Sequence, residues 1–284
     1  MQKIRRNIPN TITCGNLLCG CLAIVQIFEG DLVWAAYLVG IAAVLDFFDG
    51  FAARMLHVAS PIGKDLDSLA DMVTFGVVPG FLTYKLIYQA LYLDNLNVFD
   101  PVSFNKIIFK AGDLLEKSNF DSNYLPYIAF IIPIFSAIRL AKFNNDTRQT
   151  ESFIGLPTPA NAMFFCSIPL VLKQITNEYA ADKNPFELLV NVSSNPILAL
   201  ASNYWVLIVL VLVFSFLLIA ELPLFSLKFK SFGWQGNQIR FILIALSLIL
   251  LIVFKFMAIP LIITVYLLMS VVNNFITKNK VSQN

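Results

Sequence analysis

Long apolar stretches alternate with short polar segments along most of the chain. Eight stretches are long enough to cross a bilayer as helices, at residues 12–28, 32–53, 67–92, 124–143, 159–175, 204–226, 239–254 and 256–275. The last two are separated only around Lys255 and Phe256, so they form either a tight hairpin or one broken helix. The pattern predicts an all-α, polytopic membrane helix bundle of about eight transmembrane helices.

The composition agrees with this class. Hydrophobic residues make up 58% of the 284 positions and charged residues 13%, and the mean hydropathy is +0.74, well outside the range of soluble domains. A net charge of +2 indicates no basic face for nucleic acid. The basic N-terminus resembles a signal peptide, but Gly15 and Asn16 interrupt its apolar run, so we expect an uncleaved first helix.

The positive charges are distributed unevenly across the predicted membrane. Of the 20 Lys and Arg residues, 13 fall on the side that carries the N-terminus. The positive-inside rule therefore predicts that both termini are cytoplasmic. We expect one integral membrane domain over residues 1–284, with external loops at 94–123 and 177–203.

Four aspartates, Asp46, Asp49, Asp67 and Asp71, stand out in this apolar chain. Spacings of three and four residues project each pair from one face of a helix. Asp46 and Asp49 would lie about 21 and 26 Å along the second span from its outer end, against a core of about 30 Å. Gly63 precedes the third span, whose aspartates then enter from the same side. The two pairs should meet in the cytoplasmic third of the bilayer.

Such a cluster of acids needs a compensating positive charge. Each acid costs up to about 2.5 to 3.5 kcal/mol at membrane depth, and the four repel one another. Oxygen ligands without His or Cys favour two divalent cations, Mg²⁺ or Mn²⁺, and such ions suit phosphoryl chemistry. Gly50 could admit a phosphate or nucleotide to the helix backbone, and Arg54 could meet an anionic group. Alternatively, Gly50 and Ala53 only pack helices and Arg54 is a topology anchor.

The full pattern from Asp46 to Asp71, D-x2-D-G-x2-A-R-x8-G-x3-D-x3-D, resembles the signature of the CDP-alcohol phosphatidyltransferase family. Outside it, segments 67–79, 139–144 and 155–162 resemble the phosphatidylserine synthase branch, and P-N-T-I-T at 9–13 resembles the family's opening. The resemblance implies that the hydroxyl of L-serine attacks the phosphatidyl phosphorus of CDP-diacylglycerol and releases CMP. It also implies a homodimer in the cell (inner) membrane of a prokaryote.

The resemblance implies a role for each matched position. The four aspartates would bind two metal ions, and Asp71 would also be the general base. Residues implied to contact the CDP-lipid are Asn10, Thr13, Gly50, Ala53, Arg54 and Gly63. Residues that could hold the acceptor or a lipid phosphate are Lys64, Arg139 and Lys142, although the last two could equally be positive-inside anchors. The catalytic core would span 1–175 and accessory helices 204–276.

Two other functions fit the same residues. The first keeps the chemistry and changes the acceptor alcohol to glycerol phosphate, inositol or choline. The second is a divalent-cation transporter, because intramembrane carboxylates often form translocation sites. The aspartate spacing, and the lack of acidic partners in the outer halves of the spans, argue against the transporter.

Overall fold

The structure is a computed structural model that describes residues 2–58, 60–95, 124–145, 152–180, 195–201, 203–225, 233–234 and 237–281. Most of the two predicted external loops lies outside these residues. The described part is almost entirely helical, which agrees with the predicted class. Among the described residues, five helical segments are long and apolar enough to cross a membrane, namely Asn7–Phe28, Leu32–Leu56, Pro61–Tyr92, Leu125–Asn145 and Gln238–Asn274.

Two long helices, α1 (Gln2–Phe28) and α2 (Leu32–Leu56), pack against each other. Gly30, at a φ of 87°, makes the turn between them, and the Asp31 side chain caps α2 by accepting a hydrogen bond from the backbone of Trp34 at 2.9 Å. The turn at Gly30 and the Asp31 cap reverse the direction of the chain, so α2 runs antiparallel to α1. They bring the first half of α1 beside the second half of α2, where two of the aspartates lie.

The third span begins earlier than its hydropathy predicts. Helix α3 covers Pro61–Asp71, a π-helical turn covers Met72–Val77, and α4 covers Val78–Asn95. The expectation that Gly63 and Lys64 precede the helix is therefore wrong. The side chain of Ser60 caps the helix by accepting a hydrogen bond from the Gly63 N–H at 3.1 Å, with proline in the first turn. A hydropathy window misses this first turn because it is polar.

The second half of the chain completes the bundle. A 3₁₀ turn at Leu125–Phe130 leads into α5 (Ile131–Asn145), which is followed by α6 (Thr158–Ala180), the short α7 (Pro196–Ala201) and α8 (Tyr204–Ile219). One small departure from the all-α prediction is an antiparallel pair of three-residue strands. Strand β1 (Ser152–Ile154) precedes α6 and pairs with β2 (Pro223–Phe225), which follows α8. The apolar core includes fully buried aromatic and aliphatic side chains such as Phe75, Leu82, Ile132, Phe165 and Leu172.

The last apolar segment is broken at Lys255. Helix α9 (Gln238–Phe254) and helix α10 (Ala258–Val281) flank a 3₁₀ turn, and Lys255 has a φ of 51°. Gln174 of α6 binds both sides of the break. Its Oε1 accepts from the Phe256 N–H at 2.9 Å, and its Nε2 donates to the Phe254 carbonyl at 3.3 Å. The two helices also contact each other, so the break joins two packed segments.

Candidate active site

The aspartates of α2 and α3 converge beside α1, which contacts both helices. Carboxylate oxygens of Asp46, Asp49 and Asp67 all lie within 4.8 Å of one another. Asp71 lies one turn beyond Asp67, and its carboxylate is close enough to interact electrostatically with those of Asp46 and Asp67. Asp49 and Asp71 are buried. The structure therefore brings together three of the four acids that were predicted to share a site, and the fourth lies on the same helix as Asp67.

Helix α1 holds one acid of each pair by a hydrogen bond. Thr13 Oγ1 donates to Asp49 Oδ2 at 2.7 Å, and Asn16 Nδ2 donates to Asp71 Oδ1 at 3.2 Å. The two donors are three residues apart and therefore lie on one face of α1. Asn16 was not among the predicted site residues. Its signal in the sequence is an amide inside an apolar span, one helical turn after Thr13.

The π-helical turn starts directly after Asp71. Thr74 Oγ1 in this turn donates to the backbone carbonyl of Asn16 at 3.2 Å. A Cβ at Gly20 would collide with the Thr74 side chain, and a Cβ at Gly76 would lie 3.2 Å from the Cβ of Ser136 in α5. Two glycines therefore let the turn approach α1 and α5 closely. This packing fixes the turn that follows Asp71 against the two neighbouring helices.

A cavity of about 220 Å³ opens beside Asp49 and Asp67. Its other described lining residues are Pro9, Asn10, Thr13, Gly50, Ala53, Val58, Ser60, Gly63 and Lys64. Six of these were predicted as site residues. A Cβ on Gly50 would have only Arg54 Nη1 nearby, at 4.0 Å, whereas one on Gly63 would lie 3.0 Å from Asn10 Oδ1. The bare backbone of Gly50 thus faces open space, which argues against a helix-packing role for this glycine.

The basic residues predicted near the site have different surroundings. Lys64 Nζ donates to the Asn144 carbonyl at 2.8 Å, and Asn144 Nδ2 donates to Ser68 Oγ at 2.8 Å, so α3 is tied to the end of α5. Arg54 is exposed at the rim of the cavity, beside Gly50. Lys142 is also exposed and is absent from the described lining. The structure therefore does not bring Lys142 to the cavity.

Arg139 has a buried position that a surface anchor would not need. Only 7% of it is exposed, and its Nη1 donates to Thr158 Oγ1 at 3.2 Å. Its guanidinium interacts electrostatically with Asp71, and it lies 5.8 Å from the ring centre of Phe143. The buried cation offsets part of the negative charge of the aspartates. It also offers a binding partner for an anion that approaches Asp71.

The arrangement defines a membrane helix protein with an oxygen-only cluster that could hold divalent cations, next to a cavity whose wall includes an exposed stretch of helix backbone. The profile of the CDP-alcohol phosphatidyltransferase family matches residues 6–184, and the chain belongs to this family. The matched region includes the four aspartates and all the described lining of the cavity. Helices α7 to α10 lie beyond it.

Three relatives carry the name CDP-diacylglycerol-serine O-phosphatidyltransferase. The protein of Bacillus subtilis is 35% identical over 160 residues, which cover 55% of this chain and 71% of the relative. That of Helicobacter pylori strain J99 is 32% identical over 157 residues, which cover 55% of this chain and 54% of the relative. That of Methanocaldococcus jannaschii is 30% identical over 173 residues, covering 59% and 65%. The similarity to the last two covers less than two thirds of their length.

Proposed function

We propose that the protein transfers the phosphatidyl group of CDP-diacylglycerol to the hydroxyl of L-serine, giving phosphatidylserine and CMP. The observation that carries the proposal is the convergence of aspartates from both pairs beside a cavity that is lined by six further residues predicted for the site. The names of the three relatives favour serine as the acceptor. An acid cluster alone would fit several metal-dependent reactions.

The aspartates fit a site for two divalent cations. Three carboxylates converge within 4.8 Å, and Asp71 extends the group from the same helix face as Asp67. Hard oxygen ligands suit Mg²⁺ or Mn²⁺. We assign Asp46, Asp49, Asp67 and Asp71 as the ligands. When bound, the ions would neutralise charge on the diphosphate and on the departing CMP.

The cavity wall is assigned to the CDP moiety. Gly50 and Ala53 keep one side of α2 open, so that a phosphate can approach the backbone. Gly63 also lines the cavity, and its missing side chain leaves room for Asn10 at the start of α3. Asn10 offers an amide to the nucleotide, and Arg54 at the rim offers a guanidinium to a phosphate. Thr13 reaches the same cavity while it orients Asp49.

The transfer replaces a phosphoanhydride bond with a phosphoester bond. The serine oxygen forms a bond to the phosphatidyl phosphorus, the bond from that phosphorus to the CMP oxygen breaks, and Asp71 accepts the hydroxyl proton. Asn16 orients Asp71 for this transfer. Arg139 binds the serine carboxylate and so holds the acceptor close to Asp71. Lys64 remains a candidate for a lipid phosphate at the cytoplasmic edge.

The orientation in the membrane follows from the same assignment. Eight spans result if α1, α2, α3 with α4, α5 with its preceding 3₁₀ turn, α6, α8, α9 and α10 each cross once. We infer cytoplasmic termini, a site in the cytoplasmic third of the bilayer and a location in the inner membrane of a prokaryote. Serine then reaches the site from the cytoplasm, while the diacyl lipid enters sideways between helices. We also propose a homodimer.

The direct test is CMP release by purified protein from CDP-diacylglycerol with Mg²⁺ or Mn²⁺. Serine, glycerol 3-phosphate and inositol are compared with a sample that lacks an acceptor. Serine-dependent CMP release is expected. Release only with another alcohol would keep the chemistry and refute the acceptor, whereas cation flux without CMP release would favour a transporter.

A pair of variants tests the assigned base. Asp71→Asn should abolish turnover, because it removes both the proton acceptor and a metal ligand. Asp65→Asn is the matched control, since Asp65 is an exposed acid on the same helix. It should retain most of the activity. Equal losses in the two folded variants would contradict the assignment.

A further inference from the structure

Asn161 is a buried amide that has no partner in the described part of the chain. It is fully buried, and neither its Oδ1 nor its Nδ2 makes a hydrogen bond there. Arg139 Nε and Ser136 Oγ are also buried and unpaired within the described residues. Buried polar atoms normally find partners, and each one left without a partner costs free energy. Four such atoms near one another suggest that a polar ligand completes them.

These atoms belong to two helix faces that meet. Ser136 and Arg139 are three residues apart on α5, and Thr158 and Asn161 are three residues apart at the start of α6, so each pair shares a face. The hydrogen bond from Arg139 to Thr158 joins the two faces at 3.2 Å. Arg139 also interacts electrostatically with Asp71. The unpaired atoms therefore lie on two helix faces that are joined by Arg139, which interacts with the assigned base Asp71.

The start of α6 is held rigidly. The Gly155 N–H donates to the Leu222 carbonyl at 3.0 Å, and the Leu156 N–H donates to the Leu217 carbonyl at 2.9 Å. Gly155 has a φ of 75°, and a Cβ there would lie 2.6 Å from the Leu218 carbonyl oxygen, so only glycine fits. The segment is thus docked on the end of α8, and Asn161 is presented at a defined position. The N-terminus of α6 adds a positive potential that favours a carboxylate.

We propose that Asn161 is a specificity-determining residue that recognises the amino-acid part of the acceptor. The inference rests on the proposed function, because it concerns the acceptor of that reaction. Asn161 Nδ2 and Arg139 Nε would donate to the acceptor carboxylate, and Asn161 Oδ1 would accept from its ammonium group. An acceptor that carries both groups offers a charged partner to each end of the amide. Glycerol phosphate and inositol lack the ammonium group, and ethanolamine lacks the carboxylate.

A purely structural role predicts a different response to mutation. An amide without partners contributes little to folding, so Asn161→Leu should leave the thermal stability unchanged or raise it. The same change should harm acceptor binding if Asn161 recognises serine. A stable protein with weakened serine binding is therefore the signature of the proposal.

The test measures KM for serine, KM for CDP-diacylglycerol and kcat in the wild-type protein and in Asn161→Leu. We expect the serine KM to rise about 10- to 100-fold, the size of a lost hydrogen bond to a charged group, with little change in the CDP-diacylglycerol KM. Preference for serine over 3-hydroxypropionate, which is serine without its amino group, should shrink by a similar factor. Thr176→Val is the matched control, because Thr176 is a buried polar residue of the same helix that is bonded within that helix.

The outcomes separate this inference from the proposed function. If the wild type uses serine and a folded Asn161→Leu keeps the wild-type serine KM, the inference is refuted and the proposed function stands. If the wild type releases no CMP with serine, both fail. If Asn161→Leu does not fold, the serine KM is measured in Asn161→Asp instead. This variant keeps the shape of the side chain, but its carboxyl group would repel the serine carboxylate and raise the serine KM. An unchanged serine KM in Asn161→Asp would equally refute the inference.

Discussion

Replacing Asn16 by Leu should separate the activity of the protein from its stability. The Asn16 amide donates to buried Asp71 at 3.2 Å, and its own Oδ1 is unpaired among the described residues. A hydrogen bond to a charged group contributes about 1.5 to 3 kcal/mol. If this bond orients Asp71 in the transition state, its loss lowers kcat about 10- to 150-fold. The substitution removes this stabilising bond from the folded protein, but it also removes a buried polar atom that destabilises the protein because it has no partner among the described residues. The net change in unfolding free energy should therefore stay within about 1 kcal/mol.

The assay for Asn16→Leu is CMP release at saturating serine and CDP-diacylglycerol, with thermal unfolding of the same preparation. Thr11→Val serves as control, because Thr11 is an exposed residue of α1 that donates only to the Asn7 carbonyl of its own helix, at 3.0 Å. It should keep wild-type kcat. A folded Asn16→Leu with wild-type kcat would refute the positioning role. A loss of the same size in Thr11→Val would show that α1 responds to any substitution.

Three further predictions concern the frame of the site and its ions. Gln174→Leu should lower the free energy of unfolding by about 1 to 2 kcal/mol, because it leaves the Phe256 N–H and the Phe254 carbonyl without their side-chain partner. Chemical denaturation measures this loss, and kcat should not change. Gly155→Ala should lower the free energy of unfolding by about 2 to 4 kcal/mol, because alanine disfavours the positive φ at this position and its Cβ would collide with the Leu218 carbonyl. Thermal unfolding measures this loss. Removal of divalent cations with a chelator should abolish CMP release, and added Mg²⁺ or Mn²⁺ should restore it.

Each of these three has a result that contradicts it. A Gln174→Leu protein with wild-type stability would mean that the break at Lys255 is held by helix packing alone. Wild-type stability in Gly155→Ala would show that the loop before α6 can relax, and that Asn161 is held less rigidly than inferred. Full activity after exhaustive chelation would remove the metal assignment of the four aspartates.

Much of the site could be predicted because its information is local. The spacings of Asp46 to Asp49 and of Asp67 to Asp71 place each pair on a helix face whatever surrounds them. The cost of acids in an apolar span marks the pairs as functional. The resemblance to the CDP-alcohol phosphatidyltransferases, which the family match confirms, added the lining residues of the cavity. Six of these lie together in the structure.

Other features depended on contacts between distant segments. Asn16 lies in an apolar span without a motif spacing of its own, and Asn161 lies in segment 155–162, whose resemblance to the family gives no role to its amide. Nothing in the sequence distinguishes Arg139 from Lys142 as a site residue. The structure buries the first against Thr158 and exposes the second on the same helix. The hydropathy pattern also placed the start of the third span too late. The first turn of this helix is held by the Ser60 cap, which hydropathy does not detect.

The sequence by itself therefore determined the class of protein, its helical character and the two carboxylate pairs, since hydropathy and helical periodicity act over a few neighbouring residues. Only the tertiary structure decided which polar side chains face those carboxylates. Helix α1 supplies two donors, α5 supplies a buried cation, and the start of α6 supplies an amide without a described partner. Those relations depend on how helices far apart in the chain rotate and pack, and close packing fixes them only in the complete bundle.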